Sequence, residues 1–260
     1  SPDLLDLIER FGADAVRFGI LISAPAGNDL LFDNSSCEQG RNFNNKIWNA
    51  LKLVKMWENK VQSLEPEVQS QNFAVKWFEN RLNEVKAQVE EMYKQFKLSE
   101  ALKTIYSLIW DDFCSWYLEW IKPGLEKPID KLVYEKTVDF FSELLHLLHP
   151  FMPFVTEEIY HQLKERDDDL CINQFTSPAL LNNSFIQQGE LLKQTISAIR
   201  DARVKNAIKP KDAITIHVQT ADEKTFANIE GILTKQVNAQ ALHFTDGAIA
   251  NTVTVVVGTT

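Results

Sequence analysis

The chain has 260 residues, of which 45% are hydrophobic and 24% charged, and a formal net charge of −9. Those values suit a globular chain with a buried core and more than one domain. No apolar run approaches the ~20 residues of a membrane helix, and Ser1-Pro2-Asp3 opens no basic-then-apolar signal peptide.

The chain does not begin with methionine, as expected of an internal fragment. Cys37, Cys114 and Cys171 are far apart and form no CxxC or zinc-type spacing, so three reduced thiols are expected. The acidic average argues against a nucleic-acid partner, but it hides a patch. From 41 to 60 there are five basic residues, Arg41, Lys46, Lys52, Lys55 and Lys60, and one acid, Glu58. Such a patch is either a solvated helix face or a place where an acidic protein meets phosphates.

In chain order, a short helix is expected over Leu4–Phe11 and another from Ala13, with Gly12 as the turn between them. Ala24–Asp29 reads as a loop. The next helix is expected from Arg41 to about Glu58, because Phe43, Ile47, Leu51 and Val54 recur at intervals of four and three. Phe78, Leu82, Val85, Val89, Met92 and Phe96 mark the seam of another. Ser99 is expected to cap a third bundle helix, which runs through Ile105, Ile109 and Phe113 to the stop at Lys122-Pro123-Gly124. A fourth covers Leu132–Leu148, with Phe141, Leu145 and Leu148 inward. Pro150 and Pro153 break it, and Thr156 is expected to cap a fifth.

Asp167–Asp169 and Asn182–Ser184 read as surface linkers. A helix is expected over Glu190–Asn206, a strand over Ile214–Val218 and a helix over Phe226–Lys235. Strands are also expected at Ala241–Phe244 and Val253–Val257. The fold class is therefore mainly α: an antiparallel helical bundle followed by a small α+β unit.

The helix beginning at Arg41 carries the most informative constellation. Asn42, Lys46 and Asn49 sit at i, i+4 and i+7, opposite the apolar face and flanked by Asn45 and Lys52. Asparagine both donates and accepts, which suits base edges; lysine suits phosphates. Leu53 extends the stripe with an apolar tip for an unstacked base, the state in which RNA loops are read. Four asparagines in one helix carry a propensity cost, and the bland reading is that some cap neighbouring backbone.

Trp110, Trp116, Tyr117 and Trp120 lie near Asp111, Asp112 and Glu119 on the third bundle helix and read chiefly as packing. His146 and His149 precede Pro150 with no cysteine or carboxylate to complete a metal set, so a structural role is expected. Arg200, Arg203, Lys205, Lys209 and Lys211 form a second basic run. It either tracks phosphates or pairs with carboxylates. There is no phosphate-cradling glycine loop, no GxSxG elbow and no triad, so no catalytic residue and no metal site is expected.

Five segments in chain order, Gly12 to Phe18, Arg41 to Ala50, Trp116 to Glu119 with Lys122-Pro123, Leu148 to Glu158, and Ile199 to Arg203, resemble the valyl-tRNA synthetase family of class I ligases. Gly12-Ala13-Asp14-Ala15-Val16-Arg17-Phe18 is similar to its GADALRF segment. Arg41 to Ala50 is similar to its RNFxNKxWNA helix. Trp116-Tyr117-Leu118-Glu119 with Lys122-Pro123 is similar to WYLExxKP. Leu148 to Glu158 resembles the LHPFMPFxTEE turn, and Ile199-Arg200 with Ala202-Arg203 resembles IRxxR. The glycine-alanine-aspartate segment and the proline turn also resemble isoleucyl, leucyl and methionyl enzymes. The isoleucyl family is the nearest alternative, and a helical protein-interaction scaffold a more distant one.

The resemblance implies a linker over 1–34, an anticodon-binding bundle over 35–165, and over 166–260 a helix plus small α+β unit leading to a coiled-coil arm. It implies that Arg41, Asn42, Asn45, Lys46, Asn49, Lys52 and Leu53 bind tRNA. Where relatives often carry arginine-phenylalanine, Lys52-Leu53 stands here, which removes an aromatic stacking surface. The implied partners are the anticodon stem-loop of tRNA(Val) and the catalytic domain of the same chain, in a cytoplasmic monomer with no membrane contact. The family's HIGH and KMSKS motifs are absent, so ATP and magnesium are expected in the full enzyme and no cofactor in this piece.

Overall fold

The computed structural model describes residues 3–24, 32–63, 69–124 and 126–258. The expected loop at Ala24–Asp29 lies, apart from Ala24, outside them. Helices dominate, as expected, and the chain forms two compact units. One comprises residues 1–64 and 81–181, the other residues 65–80 and 182–260. These units are drawn differently from the stretches 1–34, 35–165 and 166–260. One reason is that α4 (Gln69–Lys94) begins in one unit and continues in the other.

In the first unit, α1 (Leu4–Phe11) starts where the Asp3 carboxylate accepts the Leu5 N–H. Gly12 takes φ +88°, a conformation costly to any residue with a Cβ, and turns the chain into α2 (Ala13–Ser23). The helix α3 spans Asn34–Glu58, with the Asp33 carboxylate accepting the Ser35 N–H. It begins seven residues before the expected Arg41. The reason is tertiary: a Cβ on Gly40 would stand 2.7 Å from the Ala15 carbonyl oxygen, and one on Gly19 2.8 Å from Cys37 Sγ. The close α2–α3 crossing therefore depends on glycines, which local propensity counts against a helix.

The bundle continues through residues 81–94 of α4, where Leu82, Val85 and Val89 are buried. Phe96 departs from the expected seam: it lies beyond the helix at φ +57° and is 83% exposed. Next comes a continuous rod of α5 (Leu98–Ser107), a π-helical stretch over Leu108–Tyr117 and α6 (Leu118–Ile121). Ser99 is not its cap. The helix begins at Leu98, and the Ser99 hydroxyl donates to the Ile22 carbonyl at 2.6 Å.

Two short strands, β1 (Val61–Gln62) and β2 (Ile129–Asp130), pair in parallel; the sequence pattern predicted neither. The helix α7 (Lys131–Leu148) starts at Asp130, whose carboxylate accepts from Leu132 and Val133. Phe141, Leu145 and Leu148 are buried, as expected.

The helix α8 (Pro153–Leu163) opens with proline at its start, where a missing N–H costs nothing. Thr156 is inside this helix rather than at its cap, and its hydroxyl donates to the Met152 carbonyl. The capping carboxylate arrives from far away in sequence: Asp14 accepts the N–H groups of Phe154 (3.3 Å) and Val155 (2.6 Å). Arg17, on the same α2 turn, donates to the Phe151 and Pro150 carbonyls. The two motif segments Gly12–Phe18 and Leu148–Glu158 are thus bonded to each other.

In the second unit, residues 69–80 of α4 pack with α9 (Asn183–Lys205). A Cβ on Gly189 would fall 2.0 Å from Trp77 Cδ1, so the indole lies flush on the α9 backbone. This packing accounts for α9 starting at Asn183, seven residues before the expected Glu190. Strands β3 (Ile214–Val218) and β4 (Ala239–Phe244) pair in parallel around α10 (Glu223–Gln236). Ile216, Val218 and Leu242 are buried on the sheet, and Ile229, Ile232 and Leu233 on the helix. The strand expected at Val253–Val257 does not form: Val253, Val255 and Val256 are exposed, without strand pairing. Among the described residues, no helix is long and apolar enough to cross a membrane.

Candidate nucleic-acid interface

The two faces of α3 separate cleanly. Phe43, Ile47, Leu51, Val54 and Trp57 are each at most 2% exposed. On the other side Arg41, Asn42, Asn45, Asn49 and Lys52 are exposed, and Lys46 and Leu53 are half-buried. All seven candidate residues therefore sit on one helix, outside its core-facing stripe. The fold holds that face outward from behind: Gly40 and Phe43 seat α3 against α2, and Asp14 and Arg17 tie α2 to the start of α8.

Two basic side chains of this face, Arg41 and Lys46, rest on aromatic rings. The Arg41 guanidinium carbon is 5.7 Å from the centroid of Phe11, and that of Arg10 is 4.9 Å from the same ring. Lys46 Nζ is 5.2 Å from the centroid of Trp110. Trp110 stacks on Tyr106 at 5.5 Å and 19°, and Tyr106 lies 4.7 Å from Phe43. Lys55 instead pairs with Glu58 at 2.7 Å. Asn44, an asparagine of α3 outside the candidate set, is half-buried and its Oδ1 is buried without a partner.

Sequence reasoning missed Trp110, Tyr106 and Arg10 as neighbours of this face. Trp110 is far from Lys46 in the chain and on a stretch whose π winding breaks the 3.6-residue rhythm on which facing residues are counted. The packing expected of the third helix aromatics holds for Tyr117 and Trp120, which are buried, whereas Trp110 and Trp116 remain partly exposed.

The second basic run lies in the second unit and is arranged differently. Arg203 is 6% exposed, and its guanidinium donates to the carbonyls of Lys209, Asp212, Val237 and Asn238. Arg200 donates to the Gln236 carbonyl and side-chain oxygen. The sequence left two choices for these arginines, phosphates or carboxylates, and their partners here are neither.

His149 Nδ1 meets the Thr156 hydroxyl at 2.8 Å, and burial pushes its pKa below the ordinary histidine value. Burial likewise lifts the Asp14 carboxyl above its usual value, against the pull of the Val155 and Phe154 N–H groups. Glu157, His161 and Asp169 come together, with His161 Nε2 3.2 Å and 3.1 Å from the two carboxylates. Glu157 also accepts the N–H groups of Leu170 and Cys171, so it closes the turn after α8.

The family profile described as "Anticodon-binding domain of tRNA ligase" matches residues 75–219, more than half of the chain. The chain belongs to this family. Its matched residues include Trp110 and Arg203; α3 lies ahead of them. Longer similarity takes in α3 as well. The valine–tRNA ligase of Phocaeicola vulgatus is 43% identical over 262 residues, covering 100% of this chain and 29% of that protein. That of Bacteroides fragilis is 42% identical, covering 100% and 30%. That of Fusobacterium nucleatum is 33% identical, covering 88% and 27%. The chain thus spans about 30% of the length of the curated relatives it matches. Among solved structures, the ternary complex of Agrobacterium radiobacter K84 LeuRS with tRNA and LeuAMS aligns over 94% of this chain and 29% of that chain. The TM-score is 0.49 and the identity 12%.

Proposed function

We propose that this anticodon-binding family member reads the anticodon loop of tRNA(Val) through the outward face of α3, as part of a valine–tRNA ligase. The observation that carries the reading is the separation of α3 into a fully buried apolar stripe and an outward stripe of Arg41, Asn42, Asn45, Lys46, Asn49 and Lys52, with Leu53 beside it. Asparagine amides take the base edges and Lys46 and Lys52 the phosphates. Similarity to valine–tRNA ligases through α3 supports valine as the amino acid served. The functional stretches are taken as 1–34 linking, 35–165 reading the anticodon and 166–260 leading onward. The ATP and magnesium of ligation are assigned to the remaining length of such a ligase, whose catalytic domain is the intramolecular partner. The same reading takes the protein as a cytoplasmic monomer.

A panel of labelled tRNAs, titrated at low salt against the full-length protein, tests this reading. Valine tRNA should bind best. Asn49→Ala should reduce discrimination between anticodons by about 1–3 kcal/mol, the range for a bidentate base contact. If Asn49→Ala and Lys46→Ala both leave affinity and discrimination unchanged, α3 is not the reading element.

A further inference from the structure

The lysine at the centre of the stripe is held in an unusual way. Long side chains usually gain order from a carboxylate, as Lys55 does from Glu58. Lys46 has no ion-pair partner among the described residues; its ammonium stands over the Trp110 ring instead. The distinction matters for an anion-binding residue. A carboxylate holds an amine but neutralises it, and must be displaced before phosphate arrives. An aromatic face holds the amine through the ring quadrupole and leaves its full charge available.

The ring itself is well fixed. It stacks on Tyr106, which packs on Phe43 of the buried α3 face. The third residue of the π-helical stretch is Trp110, whose carbonyl accepts the Ser115 hydroxyl five residues on at 2.8 Å. At the end of that stretch the Leu118 N–H donates to the Phe113 carbonyl, again five residues back. π turns inside helices concentrate at functional positions because they redirect a side chain without breaking the rod. The field of Lys46 also reaches Cys114: burial pushes that thiol up to about 12, and the lysine charge pulls the other way.

We propose that Trp110 is a positioning residue for RNA recognition: its ring holds the Lys46 ammonium, charged and unneutralised, between Asn42 and Asn49 on the outward face of α3. This rests on the α3 reading above. The ligand class is the phosphate backbone of a single-stranded RNA loop. The contribution of Trp110 is to place the amine before the RNA arrives, which lowers the ordering cost of binding.

The test is a double-mutant cycle in the full-length protein with valine tRNA, using Lys46→Ala, Trp110→Leu, Trp110→Phe and the Lys46→Ala/Trp110→Leu pair. Affinity is read across a salt series, and the Lys46 Hε proton shifts are read in the free protein. Lys46→Ala should lower affinity and flatten the salt slope by roughly one ion. Trp110→Leu should lower affinity about threefold to tenfold, as expected for a lost cation–π contact. It should add little on top of Lys46→Ala and should abolish the upfield ring-current shift of the Lys46 protons. Trp110→Phe should recover part of the affinity, since a smaller aromatic face remains, and its circular dichroism guards against misfolding of the leucine variant. If Lys46→Ala weakens binding while Trp110→Leu and Trp110→Phe leave the salt slope and Lys46 shifts unchanged, the proposal fails and the α3 reading stands. Fully additive losses also overturn it. If Lys46→Ala is itself without effect, the α3 phosphate contact falls and the proposal with it.

Discussion

The two basic runs of this chain look alike as sequence and meet opposite fates. Around Arg203 the fold collects four backbone carbonyls, and one buried guanidinium donates to them all. Around Lys46 no ion-pair partner is present among the described residues, and the cation rests on an indole ring. A guanidinium whose two terminal nitrogens donate to carbonyls is committed to the fold and serves as structural cement. An ammonium on a ring keeps its capacity for a phosphate. Counting charges cannot separate these cases; counting the acceptors that the fold brings to each charge does.

The largest test of this contrast is Arg203→Ala. It removes the guanidinium that donates to the buried Val237 carbonyl and to three neighbouring ones, and leaving a buried polar group without its partner costs up to about 3 kcal/mol. Denaturation followed by a probe in the second unit should show the loss, and Arg203→Lys should not repair it because an ammonium lacks the planar fork. A variant as stable as the parent would erase the distinction between the runs.

Next in size is Asp14→Ala, which strips the remote cap from α8 and should cost about 1–2 kcal/mol, the range for a lost helix cap. It probes whether α2, and through it the α3 face, is held by the bond between the two motif segments. Unchanged thermal stability would separate the α3 face from that anchor.

A smaller effect is expected from acid. Burial depresses both His146 and His149 below their ordinary value of 6.5. The unfolded chain therefore binds more protons than the folded one between those depressed values and about 6.5, and stability must fall as pH drops through that window. Melting temperatures at pH 7.5 and pH 5.5 should differ in that sense, and His149→Gln should shrink the difference. A rise in stability on acidification would contradict the burial of these rings.

The smallest expected stability effect is the sharpest for the comparison. Lys46→Ala should change folding stability by no more than about 0.5 kcal/mol, as for a surface position. Its effect belongs in binding alone, the reverse of Arg203→Ala. A Lys46→Ala protein that unfolds readily would make the lysine a structural residue like Arg203.

The sequence by itself determined the helical class, most elements and the split of α3. Those are properties of a periodic pattern, and Phe43, Ile47, Leu51 and Val54 hold their 3.6-residue rhythm wherever the helix is placed. It also marked Asn42, Lys46 and Asn49 as a common stripe, for the same reason. Only tertiary structure decided the starts of α3 and α9, because Gly40 and Gly189 are helix-weakening locally and required where another element approaches closely. It moved the α8 cap from Thr156 to Asp14, since an N-terminus takes whichever carboxylate the fold delivers. It left Val253–Val257 without a strand, because alternation predicts a face but cannot supply a partner. And it placed Trp110 beneath Lys46, a contact between residues far apart in the chain, set by the winding of a π-helical turn that no local pattern encodes.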